Sequence, residues 1–178
     1  MRHLILLLLG LVTSELLLAQ APPPSAGDVI ESVVKKATKE KKKVMVIFHA
    51  SWCGWCHKMD SSLVDPTVRA AVDREFVVEH LTVMESKNKT HLENPGAMDF
   101  MKKWGGSEQG LPFWVILSDK GEYLFDSRME ENGKMMNSGC PASEKEVDFF
   151  IGLLKKTTKM TPKELEAVAV RFRKNAAH

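Results

Sequence analysis

Apolar positions along the chain fall into helical faces and short continuous runs, and their order predicts a sheet with helical crossovers. Ile30, Val33, Val34 and Ala37 recur at helical spacing after an Asp28–Glu31 pair shaped like a capping box, so a first helix is expected near 28–41. Val44 to Phe48 is a short unbroken apolar run, the pattern of a strand covered on both faces. Cys53 to Val64 can be helical until Asp65-Pro66 interrupts, and Pro66 suits the start of a second segment reaching about Arg74. Phe76 to Val83 reads as the next strand, reached by a crossover long enough for a parallel β-α-β unit. Asn94-Pro95 is expected to open a helix that Gly105-Gly106 closes. Phe113 to Leu117 and Glu122 to Ser127, joined through Ser118-Asp119-Lys120-Gly121, read as an antiparallel hairpin. Val147, Phe150, Ile151 and Leu154 share one face of a helix over 144–156, and a last helix is expected from Thr161-Pro162 to about Asn175. This order implies an α/β fold with a mixed sheet and helices on both faces.

The first residues change the picture. Arg2 and His3 precede an apolar run from Leu4 to Leu18 and a small-x-small Ala19-Gln20-Ala21, the form of a secretory leader. Thr13, Ser14 and Glu15 break the run below the 18 or so apolar residues that a spanning helix needs. The expected organisation is a signal peptide over 1–21, a proline-rich spacer over 22–27, one domain over 28–158 and a helical extension over 159–178. The expected location is periplasmic or otherwise extracytoplasmic, with membrane contact only through an uncleaved leader. No cysteine lies near the leader boundary, which excludes a lipoprotein anchor.

The formal net charge is +2, and losing Arg2 and Glu15 with the leader leaves it unchanged, so nothing points to nucleic acid. Six lysines between Lys35 and Lys43 suit the C-terminal end of the first helix, where cations offset the helix dipole. Three cysteines, two of them in a C-x-x-C pair, favour redox chemistry or a metal over a structural disulfide framework.

Trp52-Cys53-Gly54-Trp55-Cys56-His57-Lys58 lies where the predicted buried strand gives way to a helix. The thiolate is the nucleophile in disulfide exchange, and free N–H groups at a helix N-terminus favour it, lowering a cysteine pKa from about 8.5. Cys53 is therefore the expected attacking thiol, and Cys56, a turn further in, the expected resolving thiol. Gly54 is read as easing the turn, with Trp52 and Trp55 forming an apolar surface around an exposed sulfur. His57 reads as a solvent-facing first-turn residue and His49 as a strand-end residue. Cys140 reads as an isolated, partly buried thiol.

Phe48-His49-Ala50-Ser51-Trp52-Cys53-Gly54-Trp55-Cys56 resembles the active-site segment of the thioredoxin superfamily. Asn94-Pro95-Gly96, Gly110-Leu111-Pro112 and Asp119-Lys120-Gly121-Glu122 are similar to that superfamily in the same order, over most of 28–156. The resemblance implies a thioredoxin-like fold, a central mixed β-sheet flanked by helices, here with an extra C-terminal helix. It implies thiol–disulfide exchange on protein disulfide clients, a separate thiol/disulfide redox partner, and no cofactor or metal beyond the redox-active Cys53–Cys56 disulfide. It further implies a cis-proline at Pro112, with Trp52, Gly54, Trp55, Leu111 and Pro112 forming the client-binding surface. Family members often carry a buried acid six residues before the first cysteine. Here Ile47 stands there, and Glu79 in the neighbouring predicted strand is the candidate for proton transfer. Gly54-Trp55 replaces the familiar Gly-Pro, which leaves the redox poise open between roughly −270 and −120 mV.

Two other chemistries use the same residues. Cys53-x-x-Cys56-His57 is also the attachment signature of a c-type haem, with His57 as axial ligand, but that reading leaves the flanking strands and Leu111-Pro112 without a role. Two thiols with His49 or His57 could alternatively hold copper(I) or zinc, although His57, adjacent to Cys56 on a helix, points in a different direction.

Overall fold

The computed structural model describes residues 21–176. The expected leader, apart from Ala21, lies outside the described residues.

Helix α1 spans Ala26–Glu40, β1 Lys43–His49, α2 Gly54–Leu63, α3 Arg69–Glu75 and β2 Phe76–Thr82. There follow α4 at Ala97–Lys103, β3 at Phe113–Leu117 and β4 at Tyr123–Asp126. Two further strands, β5 at Arg128–Glu131 and β6 at Lys134–Asn137, precede α5 at Glu144–Thr157 and α6 at Pro162–Arg173. The main sheet has the order β2-β1-β3-β4, with β1 and β2 parallel and the other neighbours antiparallel. The fold is thioredoxin-like: a mixed central sheet flanked by helices, with α6 as an extra C-terminal helix.

Strand β1 is central, and its five residues Val44 to Phe48 are buried on both faces. The pleat sends Met45 and Ile47 to one face, where they meet Met59 and Leu63 of α2, Val72 of α3, Phe150 of α5 and Phe172 of α6. Val44, Val46 and Phe48 go to the other face, against Val33 and Ala37 of α1 and Met101 of α4. On the first face, Trp114, Phe150 and Phe172 form an aromatic stack whose successive ring centroids lie 5.3 and 5.0 Å apart. That stack joins the C-terminal extension to the core.

Several boundaries differ from the sequence reading. The cap of α1 is Ser25, whose Oγ accepts the Asp28 amide at 3.1 Å, so Ala26 and Gly27 open the helix instead of ending the spacer. Pro66 sits in a turn, and α3 starts only at Arg69, because Asp65 Oδ1 accepts from the Thr67 amide and hydroxyl and holds an Asx turn there. Gly96, at φ +82°, delays α4 to Ala97. The antiparallel pair β5–β6, turned by Asn132 (φ 53°) and Gly133 (φ 76°), has no counterpart in the expected order of elements. Helix α6 follows its signal closely: Thr161 and Glu164 form a capping box around Pro162.

The residues ahead of α1 lie against the loop that follows β2. Asn94 Nδ2 donates to the Pro24 carbonyl at 3.0 Å, and the Ala26 amide donates to the Pro95 carbonyl at 2.8 Å.

Candidate active site

Strand β1 delivers the chain to Ala50, whose carbonyl accepts the Cys53 amide at 3.0 Å and closes a turn. Cys53 is the N-cap of α2, in extended conformation, and the Cys56 amide donates to Cys53 Sγ at 3.1 Å. This first-turn helix N–H, shared with the Cys53 carbonyl at 3.1 Å, thus points at the first sulfur, the arrangement that favours a negative charge there once the disulfide is reduced. Cys53 and Cys56 are joined by a disulfide with S–S 2.04 Å. Together with Ala50 they form a small buried cluster against which Leu111 packs, and the Leu111–Pro112 peptide bond is cis. This is a thiol–disulfide site of the kind suited to redox chemistry on protein substrates.

The first sulfur is not exposed as the sequence suggested. Cys53 is 3 % accessible and Cys56 1 %, whereas Trp52 and Trp55 are 59 % and 43 % exposed. Ala50 and Leu111 pack against the pair, and the two tryptophans adjoin it in the chain. Trp52 is anchored by its Nε1 to the Met84 carbonyl at 2.8 Å, and Lys58 Nζ lies 4.4 Å from the Trp55 ring centroid. Gly54 has no left-handed φ and nothing within 4 Å of where a Cβ would stand, so the turn does not require glycine.

Glu79 is not brought to the cysteines. It pairs with Val46, so its side chain shares the α1 face, beside a cavity lined by Asp28 and Val29. Its Oε1 accepts the His80 amide. Strand parity instead sends His80, the partner of Ile47, toward α2, where its Nε2 lies 2.8 Å from Asp60 Oδ1. The His49 and His80 rings meet edge to face at 5.0 Å. Burial, reinforced by the neighbouring His80, holds the His49 imidazole below its usual pKa against the pull of Asp60 and Glu85. His57 is exposed, with Nε2 3.2 Å from the Ser51 carbonyl oxygen. Among the described residues, no group of three or more His, Cys, Asp or Glu side chains is placed to hold a metal ion.

Two supporting residues escaped the sequence reading. Glu85, 9 % accessible, accepts from both the Ser51 amide and its hydroxyl, fixing the start of the cysteine turn. Burial acts to raise its pKa, but these Ser51 hydrogen bonds, with Lys89, outweigh that and hold it below the usual carboxylate value. Asn137 pins the proline loop: its Nδ2 donates to the Gly110 carbonyl at 2.7 Å and the Pro112 carbonyl at 3.0 Å. The run Asn137-Ser138-Gly139 is an Asx-turn signal that could have located it, since Asn137 Oδ1 accepts the Gly139 amide. Glu85 carries no such signal. Cys140 is buried and unpaired, with Asn175 Nδ2 at 3.3 Å from its sulfur, and burial pushes its thiol up to about 12.

A family profile described as thioredoxin-like matches residues 27–119, 93 of the 178 positions. Among solved structures, a disulphide isomerase from Xylella fastidiosa Temecula1 is 17 % identical, covering 84 % of this chain and 90 % of its own, with a TM-score of 0.49. The oxidised C-terminal domain of Neisseria meningitidis DsbD is 19 % identical over 77 % of this chain and 99 % of its own, with a TM-score of 0.47. A thioredoxin from Thermus thermophilus is 18 % identical over 71 % and 82 %, at 0.45. No curated protein matches the chain.

Proposed function

The chain belongs to the thioredoxin-like family, and from that premise we propose that it is a protein disulfide oxidoreductase working outside the cytoplasm. Cys53 is the nucleophile. Its thiolate attacks a client disulfide, a Cys53–client bond forms, and the second client sulfur leaves as a thiolate. Cys56 then attacks Cys53 Sγ, releases the first client sulfur as a thiolate and closes the internal disulfide, so the client gains two electrons and the protein loses two. Run in reverse, the same steps oxidise a client dithiol. A thiol/disulfide redox partner resets the pair in either direction.

The observation that carries this reading is the Cys56 amide aimed at Cys53 Sγ at 3.1 Å, on a pair joined as a disulfide and packed against Leu111. Client backbone docks along Leu111 and Pro112, with Trp52, Gly54 and Trp55 forming the rest of the contact surface. The leader over residues 1–21, the spacer after it and the lack of any other cysteine pair support export as a single redox domain with a helical extension. Proton transfer to and from Cys56 draws on the titratable groups beneath α2, where Asp60, His80 and His49 gather, and not on Glu79.

The test is a Cys56→Ser variant exposed to extracytoplasmic proteins carrying disulfides. It should accumulate mixed disulfides that reductant releases, while a Cys53→Ser variant forms none. Alkylatable Cys53 that traps no client would remove the proposal. Equilibration of the Cys53–Cys56 pair against glutathione then fixes the direction of electron flow.

A further inference from the structure

A cavity of about 380 Å³, lined by Trp55 from the cysteine turn and Leu111 from the proline loop, opens between four segments that are distant in sequence. Trp55 comes from α2, Glu108 to Leu111 from the loop before β3, Met136 and Asn137 from the end of β6, and Glu146 from α5. The β5–β6 hairpin therefore supplies one wall of a space that adjoins both the cysteine turn and the proline loop.

The lining has two properties. Trp55 and Met136 are large apolar side chains, 43 % and 48 % exposed, on a rim where water has not been excluded. The lining also holds two carboxylates, Glu108 and Glu146, and neither a lysine nor an arginine. Glu108 is exposed and has no ion-pair or hydrogen-bond partner among the described residues. One oxygen of Glu146 completes the α5 capping box by accepting from the Ala142 and Ser143 amides, and among the described residues no cation pairs with its carboxylate. Lys58, although stacked on Trp55, donates to the Asn175 carbonyl at 3.2 Å and lines a different cavity.

A lining that combines two large apolar side chains with two carboxylates and no cation suits a side chain with a long aliphatic stem and a cationic head. The stem covers apolar surface while the head keeps its water and meets the carboxylates, and an aromatic face adds to the attraction. We propose that this cavity is a subsite for a lysine or arginine side chain of the client segment whose cysteine reacts with Cys53, so that clients with a basic residue near the reactive cysteine are preferred. This rests on the exchange reading above. The molecule as a whole carries +2, so its long-range field favours acidic clients, and a preference for basic ones can come only from local contacts.

The experiment uses the full chain carrying Cys56→Ser, reduced at Cys53. It reacts with three extended peptides alike except for Lys, Gln or Glu at the positions flanking a single cysteine. That cysteine is held as a disulfide to 2-thiopyridine, so attack by Cys53 forms the Cys53–peptide bond and releases pyridine-2-thione, whose absorbance gives the rate. At low salt the Lys peptide should react about fivefold faster than the Glu peptide, the scale of one partly exposed charge contact. Added salt should narrow the ratio. Glu108→Gln should reduce it, Glu108→Lys should invert it, and Met136→Ser should slow the Lys peptide more than the Glu peptide. Equal rates for the three peptides, or a ratio indifferent to Glu108→Lys, overturn the subsite and leave exchange intact. No reaction with any peptide while iodoacetamide still alkylates Cys53 removes both.

Discussion

The three cysteine sulfurs of this chain occupy different electrostatic environments, and their reactivities should separate accordingly. Cys53 and Cys140 are almost equally buried, at 3 % and 4 % accessible, but Cys53 Sγ accepts from a helix amide, whereas burial raises the Cys140 pKa to about 12, against the pull of Arg171 and Lys58. After mild reduction at pH 8, iodoacetamide should therefore modify Cys53 within minutes and leave Cys140 unmodified until the protein is unfolded. Peptide mapping by mass spectrometry reads this directly, and rapid labelling of Cys140 in the folded protein would contradict its placement. At this scale the sequence revealed the cysteine pair that the structure joins as a disulfide, because a C-x-x-C turn between strand and helix is a local signal. It misplaced the proton-transfer candidate because strand β2 is covered over much of both faces, and Phe76-Val77-Val78-Glu79-His80-Leu81 shows no alternation from which to read parity. Only the pairing of Val46 with Glu79 and of Ile47 with His80 shows which residue faces α2.

Among the elements, α6 is joined to the core most firmly at Phe172, which is fully buried and stacked on Phe150. Phe172→Ala should cost about 3–5 kcal/mol, the usual loss for deleting a buried aromatic ring, and should lower the urea midpoint without changing the fold. A cost below about 1 kcal/mol would mean that the extension is peripheral to the core. Helix α6 was legible in the sequence because Thr161-Pro162 and Glu164 spell out its start. The β5–β6 hairpin was not read, although Asn132-Gly133 is a strong turn signal. Its strands are short, charged and rich in methionine, with β6 exposed along most of its length, so no apolar run marks them as sheet. Part of the site was lost with it, since Asn137 at its end holds the Gly110 and Pro112 carbonyls.

The stability of the whole molecule should be highest between about pH 6.5 and 9 and fall on both sides. On the acid side, His49 has its pKa lowered from 6.5 by burial and by His80, so the unfolded chain takes up a proton first as the pH drops below that value. Glu85 and Glu164 have theirs lowered from 4.5, Glu164 to about 2 by Arg74 and the Thr161 cap. Their contribution is present above 4.5 and is lost as the pH falls through the folded values. On the alkaline side, Cys140 keeps its proton in the fold to about 12 but ionises near 9.0 when unfolded, so stability declines as the pH rises across that interval. Urea midpoints measured from pH 3 to 11 should trace this profile, with Cys140→Ala flattening the alkaline limb and leaving the acid one. A midpoint that rises steadily from pH 4 to pH 11 would contradict it.

The contacts of Pro24 and Ala26 with Asn94 and Pro95 have a geometric result for anything attached ahead of them. The loop that receives this arm also carries Met84 and Glu85, which grip Trp52 and Ser51, so the arm departs from the same end of the sheet as the disulfide. A bead, a fusion partner or a bilayer joined on that side through a short tether would stand in the path of incoming macromolecules.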